Sequence, residues 1–175
     1  MLVCVDPGHG GIETGAKGPG GILEKVINLL AGHQLKQALL AAKQHVVLTR
    51  LTDIDVSLSS RADIANWAGA DVFVSLHCNS AADPSAKGIE VYHHPKASPK
   101  AKSLAADIQK RLVAATGLVD RGVKAANFAV LRRTTMPAVL VEMAFISNPA
   151  EEALLLKEEW RGMVVREIAA AVIAL

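Results

Sequence analysis

The stretch Asp71-Val72-Phe73-Val74-Ser75-Leu76-His77 decides how the chain folds, because its interior is apolar at nearly every position. Strands with one face in water alternate apolar and polar residues, whereas a central strand of a parallel sheet is buried on both faces and is apolar throughout. The stretch therefore predicts a central strand in a parallel sheet. It ends at His77, and ligands of open α/β sheets bind beyond the carboxyl ends of the strands.

Short apolar runs alternate with longer helical patterns along the rest of the chain. Helices are predicted to begin near residues 23, 57, 98 and 148, the first extending to about residue 42 and the last towards residue 171. Further strands are predicted at residues 2–5, 45–48, 88–92, 128–131 and 137–142. This alternation is typical of the α/β class. We expect one domain, residues 1–175, with a mostly parallel twisted sheet of about six strands and helices on both faces.

The composition indicates a globular protein and excludes some classes of function. Hydrophobic residues make up 51% of the 175 residues and charged residues 21%, so a real core is expected. The net charge of +2 gives no concentrated basic face for nucleic acid. No segment is long enough to span a membrane. Residues 2–5 are too short for a signal peptide, so the chain either lacks an export signal or has lost it.

Four residues that can bind metal or move protons are expected at the carboxyl edge of the sheet. His9 follows the first strand, His77 ends the central strand and Glu142 ends the last strand. Glu24 opens the first helix, which a glycine-rich loop returns to the sheet. Two histidines with one carboxylate leave a fourth tetrahedral position open, as catalytic zinc requires. Glu24 suits the third ligand, because the helix dipole favours its ionised form.

Glu142 suits a different role from that of Glu24. A carboxylate in an apolar run is costly unless it is paired or bound to metal. A second carboxylate near zinc can take a proton from water and return it to a leaving amine, typically worth ~10²–10⁴ in rate. Each residue alone also has an ordinary explanation: a hydrogen-bonded histidine at a strand end, or a glutamate in a first helical turn.

The remaining candidates favour structural roles. His33 and His45 are expected to be structural, and His93-His94 to be exposed in a loop. The Gly8-His9-Gly10-Gly11 stretch lacks the complete spacing of a phosphate-binding loop. Cys4 and Cys78 lie in apolar runs and are predicted to be buried thiols, with a disulfide left open.

Several motifs, taken in order, resemble one known family. They are Asp6-Pro7-Gly8-His9-Gly10-Gly11, Leu23-Glu24-Lys25 with Asn28-Leu29, Leu48-Thr49-Arg50 with Arg61, Val74-Ser75-Leu76-His77-Cys78-Asn79, Gly88-Ile89-Glu90-Val91-Tyr92, Arg121-Gly122-Val123-Lys124 and Pro137-Ala138-Val139-Leu140-Val141-Glu142. Together they resemble the zinc-dependent N-acetylmuramoyl-L-alanine amidases, over essentially the whole chain.

The resemblance implies a substrate and a division of roles. It implies zinc ligands His9, Glu24 and His77, with Glu142 catalytic, and it supplies the substrate bond, between N-acetylmuramic acid and L-alanine of peptidoglycan. We expect a monomer that acts at the bacterial cell wall without binding nucleic acid. Only residues 93–97 separate a strand from the next helix where some members carry an inhibitory helix, so an open site is expected. No wall-binding domain is visible, and a phage lysin, a wall-remodelling enzyme and an excised catalytic domain all fit.

Two other functions stay open at the level of sequence. A zinc peptidase or carboxypeptidase that cuts within the stem peptide would use the same metal set. A non-catalytic wall-binding module would be expected to lack a ligand or Glu142. Lys124, Arg132 and Arg133 are predicted near the site, where one of them would hold the acidic stem peptide.

Overall fold

The computed structural model describes the whole chain, residues 1–175. Six strands form one sheet: β1 (Leu2–Pro7), β2 (His45–Leu48), β3 (Val72–Asn79), β4 (Ile89–His93), β5 (Asp120–Ala125) and β6 (Ala138–Phe145). Six helices accompany them: α1 (Glu24–Ala41), α2 (Leu58–Trp67), α3 (Pro99–Thr116), α4 (Ala129–Arg133), α5 (Pro149–Leu155) and α6 (Glu158–Ile173). The predicted α/β class is confirmed.

The strand order β2-β1-β3-β6-β4-β5 places the apolar strand β3 inside the sheet. All neighbouring strands pair in parallel except β4 and β6, which are antiparallel. The sheet is therefore mixed but mostly parallel, as predicted. The carboxyl ends of β1, β3 and β6 meet at one edge, and this edge is where His9, His77 and Glu142 were expected.

Two apolar clusters cover the two faces of the sheet. The larger cluster joins α1, α3 and α6 to the inner strands through aliphatic residues such as Ile27, Leu104 and Ile168. The smaller cluster on the other face includes Ala65 of α2 and Val130 of α4. Helices on both faces are thus confirmed, and the core is aliphatic as the composition requires. None of the helices combines the length and apolar composition that crossing a bilayer requires.

Two predicted elements were wrong and one strand was missed. Residues 128–131 are not a strand: Phe128 caps α4, a short amphipathic helix, and a brief apolar run does not distinguish the two states. Strand β5 was not predicted, because this edge strand is polar and half exposed, with Gly122 at φ 79°. The last helical segment is two helices, since α5 ends at Leu155 and α6 begins at Glu158.

The strands that carry two of the site residues are longer than predicted. His77 and Glu142 were expected to end their strands, but β3 continues to Asn79 and β6 to Phe145. The register shifts between His77 and Asn79, and such an irregularity re-aims side chains near a site. His77 and Glu142 are register partners on adjacent strands, so their side chains lie side by side.

Candidate metal centre and active site

His9, Glu24 and His77 converge into a potential metal-binding group. One ligand atom from each residue lies within 4.8 Å of the other two. Nε2 of His9 is 3.3 Å from Oε2 of Glu24, and Nδ1 of His77 is 2.9 Å from Oε1 of the same carboxylate. The two imidazole rings meet edge to face, with centroids 5.0 Å apart. Two histidines and one carboxylate are a donor set that suits catalytic zinc.

The Glu24 carboxylate is buried and held by several donors. The backbone N–H of Ala16 donates to Oε2 at 3.0 Å, and the N–H of Cys78 donates to Oε1 at 3.1 Å. Nδ2 of Asn28, one helical turn further along α1, also donates to Oε1, at 3.2 Å. Glu24 is the first residue of α1, where the helix dipole favours a negative charge.

Two glycines make room for the ligands. A Cβ at Gly8 would lie 2.2 Å from Cε1 of His77, and a Cβ at Gly15 would lie 2.6 Å from Oε2 of Glu24. Both distances are too short for any real contact. Gly15 also has φ +67°, a conformation that favours glycine. The glycine-rich loop is therefore needed for the close approach of backbone to ligands, and not for binding phosphate.

The backbone at His9 is unusual for a residue with a side chain. Its φ of 59° lies in the left-handed region, which a non-glycine residue occupies at a cost and usually at a functional site. This conformation turns the chain sharply after β1. The sharp turn presents the imidazole to Glu24 and His77.

Glu142 lies beside this group but does not belong to it. The potential metal-binding group contains His9, Glu24 and His77 alone. Oε2 of Glu142 is buried and has no hydrogen-bond partner. An unpaired buried carboxylate oxygen is costly, and a catalytic role is one of the explanations for such a group in a native protein.

The two buried glutamates of the site differ in pKa. Burial opposes ionisation of Glu24, but the hydrogen bonds from His77 and His9 outweigh it and hold its pKa well below the usual range. Burial raises the pKa of Glu142 to about 7, although the nearby His77 acts in the opposite direction. A group with a pKa near neutrality can both accept and donate a proton at working pH.

A cavity of about 560 Å³ opens beside these residues. His9, His77 and Glu142 line it together with apolar side chains, which are Val56, Leu58, Phe128, Val130 and Leu140. These apolar residues lie at the start of α2, in β6 and at α4, the segment wrongly predicted as a strand. The cavity thus offers both polar and apolar surface beside the metal-binding group.

Lys124, Arg132 and Arg133 do not line this cavity. Nζ of Lys124 contacts the buried carboxylate of Glu90, which Arg121 and Asn79 also contact. Arg132 lines a different cavity, together with His94, at the amino end of β6. Lys124 thus lies on the strand side of Glu142 and not in the cavity. The expectation that one of the three residues holds the stem peptide stays a prediction.

The other histidines and the cysteines lie outside the metal-binding group. His33 in α1 contacts the carbonyl oxygen of Leu51, and His45 is exposed at the start of β2. His93 belongs to β4 and is half-buried, as is His94, so the predicted exposed loop was wrong for this pair. Cys4 and Cys78 are buried free thiols, which confirms the prediction and excludes a disulfide between them.

Three residues that shape the site were quoted in the sequence motifs but given no role there. Asn28 supports Glu24, and Arg50 and Arg61 bind the backbone around His9. The only signal was their place in the motifs, because the carbonyl groups that they bind become apparent only in the folded chain.

Comparisons with known proteins agree with this architecture. A sequence profile of the family described as N-acetylmuramoyl-L-alanine amidase matches residues 3–174. The crystal structure of an N-acetylmuramoyl-L-alanine amidase from Clostridium difficile 630 superposes with a TM-score of 0.97 at 36% identity, covering 99% of this chain and 95% of that one.

Two curated relatives are longer than this chain. The endolysin of Bacillus phage SPP1 is 44% identical over 91% of this chain and 60% of its own length. The N-acetylmuramoyl-L-alanine amidase LytC of Bacillus subtilis is 38% identical over 95% of this chain, but over only 34% of its own length. The chain thus spans between about a third and three fifths of these two relatives. Because the profile and the solved structure both cover nearly all of it, the chain belongs to the N-acetylmuramoyl-L-alanine amidase family.

Proposed function

We propose that residues 1–175 form a catalytic domain that hydrolyses the amide bond between N-acetylmuramic acid and L-alanine in peptidoglycan. The observation that carries the proposal is the convergence of His9, Glu24 and His77 beside a buried, unpaired oxygen of Glu142. Family membership supports the choice of substrate, since the relatives include a LytC amidase and a phage endolysin.

The donor set fits zinc. His9 and His77 offer ring nitrogens, and Glu24 offers a carboxylate that the surrounding donors keep ionised. Three protein ligands leave one tetrahedral position for water or substrate. Bound there, zinc would act as a Lewis acid towards the amide carbonyl and lower the pKa of a water molecule towards ~7.

Glu142 is proposed as the general base and then the general acid. It accepts a proton from the water that attacks the lactyl carbonyl carbon. It then donates that proton to the nitrogen of L-alanine as the carbon–nitrogen bond breaks. No protein donor binds Oε2, Glu142 lines the cavity, and a pKa of about 7 suits both directions of transfer.

The cavity supports an extended substrate. Its lining includes the exposed apolar side chains of Leu58 and Phe128, and a substrate that covered them would help to exclude bulk water from the reacting bond. We also propose that the domain acts as a monomer and works at the bacterial cell wall. Size-exclusion chromatography with light scattering tests the monomeric state.

Digestion of purified peptidoglycan tests the proposed reaction. The expected products are glycan strands with free lactyl carboxylates and intact stem peptides that begin with L-alanine, identified by mass spectrometry. A strong chelator should stop the reaction and added zinc should restore it. Undiminished hydrolysis under chelation would refute the zinc dependence.

The same digestion separates this function from the peptidase alternative. A zinc peptidase or carboxypeptidase acting within the stem would leave L-alanine attached to the glycan and release shortened peptides. A protein that binds peptidoglycan but releases no product would instead be a wall-binding module. The complete set of His9, Glu24, His77 and Glu142 favours an enzyme over a wall-binding module. Membership of the amidase family favours the amidase over the peptidase.

A further inference from the structure

Two buried arginines surround the backbone of the loop that carries His9. Arg50 is the second residue after β2 and Arg61 lies in α2, and they are 2% and 3% exposed respectively. Neither is a candidate metal ligand. Their guanidinium groups donate to the carbonyl oxygens of three consecutive residues, Pro7, Gly8 and His9. A buried guanidinium needs such partners, because an unsatisfied buried charge is strongly destabilising.

Arg50 connects the two segments that carry His9 and Glu24. Its Nη2 donates to the carbonyl of Gly8 at 3.0 Å and to the carbonyl of Lys25 at 2.8 Å. Gly8 precedes His9 and Lys25 follows Glu24, so one nitrogen atom links the neighbours of two proposed ligands. Nε and Nη1 donate to the carbonyls of Pro7 and Thr52. All the hydrogen bonds of Arg50 thus go to backbone carbonyls.

Arg61 fixes the other side of the same loop. Its Nη2 donates to the carbonyl of His9 at 2.7 Å, and its Nη1 donates to the carbonyl of Pro7 and to Oδ1 of Asp6, both at 2.8 Å. The Asp6 carboxylate also accepts from the hydroxyls of Thr49 and Ser75. Arg61 therefore ties His9 to a buried network that spans β1 and β3.

The conformation of His9 explains why this support is needed. Its φ of 59° is one that a side-chain-bearing residue leaves unless its surroundings hold it there. Bonds to the carbonyls of Pro7, Gly8 and His9 fix the peptide planes on both sides of that angle. Lysine could not replace either arginine, because an ammonium is a compact charge that lacks the rigid fork of donors.

We propose that Arg50 and Arg61 are positioning residues that pre-form the metal site, holding His9 and Glu24 at ligand separation before the metal binds. The proposal rests on the proposed metal centre. Groups that orient metal ligands in this way typically contribute about 10- to 100-fold to metal affinity. The arginines act on the metal through His9 and Glu24 and do not contact it.

Zinc affinity, measured by competition with a chromophoric chelator, tests the role of each arginine. Arg50→Lys and Arg61→Lys should each weaken zinc binding by about 10- to 100-fold. Arg161→Lys is the matched control, because Arg161 is also buried, at 6% exposure, but donates to the carbonyl of Leu155 and to no carbonyl beside His9 or Glu24. It should lower the thermal stability of the zinc-free protein yet leave zinc affinity within about twofold.

The outcomes separate this inference from the proposed function. If the unaltered protein binds no zinc, the proposed metal centre fails first. If it binds zinc and the folded Arg50→Lys and Arg61→Lys variants bind it equally tightly, the positioning role is refuted. An equal loss of affinity in Arg161→Lys, or failure of both test variants to fold even with excess zinc, would likewise show that the arginines support the fold and not the site. If only one of the two variants folds, its zinc affinity tests the positioning role by the same criterion.

Discussion

The carboxylates of Glu24 and Glu142 lie in opposite environments. We call the group of His9, Glu24 and His77 the ligand side of the site, and Glu142 with its strand neighbours the Glu142 side. On the ligand side, Glu24 accepts from two backbone N–H groups and from Asn28, and it contacts both histidines. On the other side, one oxygen of Glu142 has no partner. Saturating a carboxylate with donors keeps it ionised and fixed, which a metal ligand requires. A carboxylate with an oxygen that lacks a donor can exchange a proton, which a general base requires.

The contrast extends to the strand next to Glu142. Glu90, its antiparallel register partner on β4, is buried like Glu24 and forms ion pairs with Lys124 and Arg121. These cations lower the pKa of Glu90 despite its burial. Three carboxylates thus lie within a few strands of one another, and two are held in the charged form. Only Glu142 has a pKa near 7. The surroundings of each glutamate, and not the residue type, therefore determine whether it suits a ligand or a general base.

The largest expected effect comes from breaking the ligand side. His9→Ala removes a ligand, so we expect zinc to be lost and hydrolysis to fall to background. Zinc should no longer raise the melting temperature, a stabilisation worth about 2.7 kcal/mol when free zinc is 100 times its dissociation constant. Thermal unfolding with and without zinc measures this. A variant that zinc still stabilises as strongly as the unaltered protein would show that His9 is not a ligand.

Gly8→Ala tests whether close packing of the loop sets the ligand side. The added Cβ would lie 2.2 Å from the His77 ring, so either the loop or the imidazole must move. We expect zinc affinity to fall by about 10-fold or more, with a stability loss of about 1–3 kcal/mol from overpacking. Gly21→Ala is the control, because its Cβ would meet nothing within 4 Å and only its φ of +96° is strained. Equal zinc affinities in the two variants would contradict the packing argument.

Lys124→Met tests the Glu142 side without touching the metal. It removes one charged partner of Glu90, which keeps Arg121 and Asn79, so we expect a stability loss of about 1 kcal/mol with zinc content unchanged. The exposed Lys110 gives the matched control, and Lys110→Met should stay within about 0.5 kcal/mol. Denaturant unfolding and metal analysis provide the two measurements. Loss of zinc from Lys124→Met would show that the Glu90 ion pairs also affect the metal site.

The smallest effects are expected at Arg132 and Arg133. Both are exposed and neither lines the cavity beside the metal site. Arg132→Ala and Arg133→Ala should therefore change the KM for soluble muramyl peptide by no more than about twofold, as surface substitutions usually do. A much larger rise in KM would instead support the expectation that these residues hold the stem peptide.

The sequence predicted the parts of the fold that depend on burial. Residues 72–76 are apolar apart from Ser75, and they lie in strand β3 inside the sheet. Strand β5 was not predicted, because this edge strand is stabilised by pairing with β4 and has no buried apolar pattern. Residues 128–131 were misassigned because a short apolar run packs equally well as a strand or as one helical turn.

The proposed ligands could be found in the sequence because they follow or lie near the ends of predicted strands and helices. The chain topology alone brings such positions together, and the structure does place His9, Glu24 and His77 in one group. The roles of Arg50 and Arg61 could not be found in this way. Their partners are backbone carbonyls, and no sequence pattern records which carbonyl a side chain will meet.

Zinc content measured beside turnover, in Glu142→Gln and Glu24→Gln, tests the central contrast most directly. Glu142→Gln should keep full zinc occupancy and a nearly unchanged fold, while peptidoglycan hydrolysis falls by at least ~10²-fold, the lower end for losing a general acid or base. Glu24→Gln should instead weaken zinc binding itself. If Glu142→Gln lost the metal while Glu24→Gln kept both metal and activity, the roles assigned to the two sides of the site would be reversed.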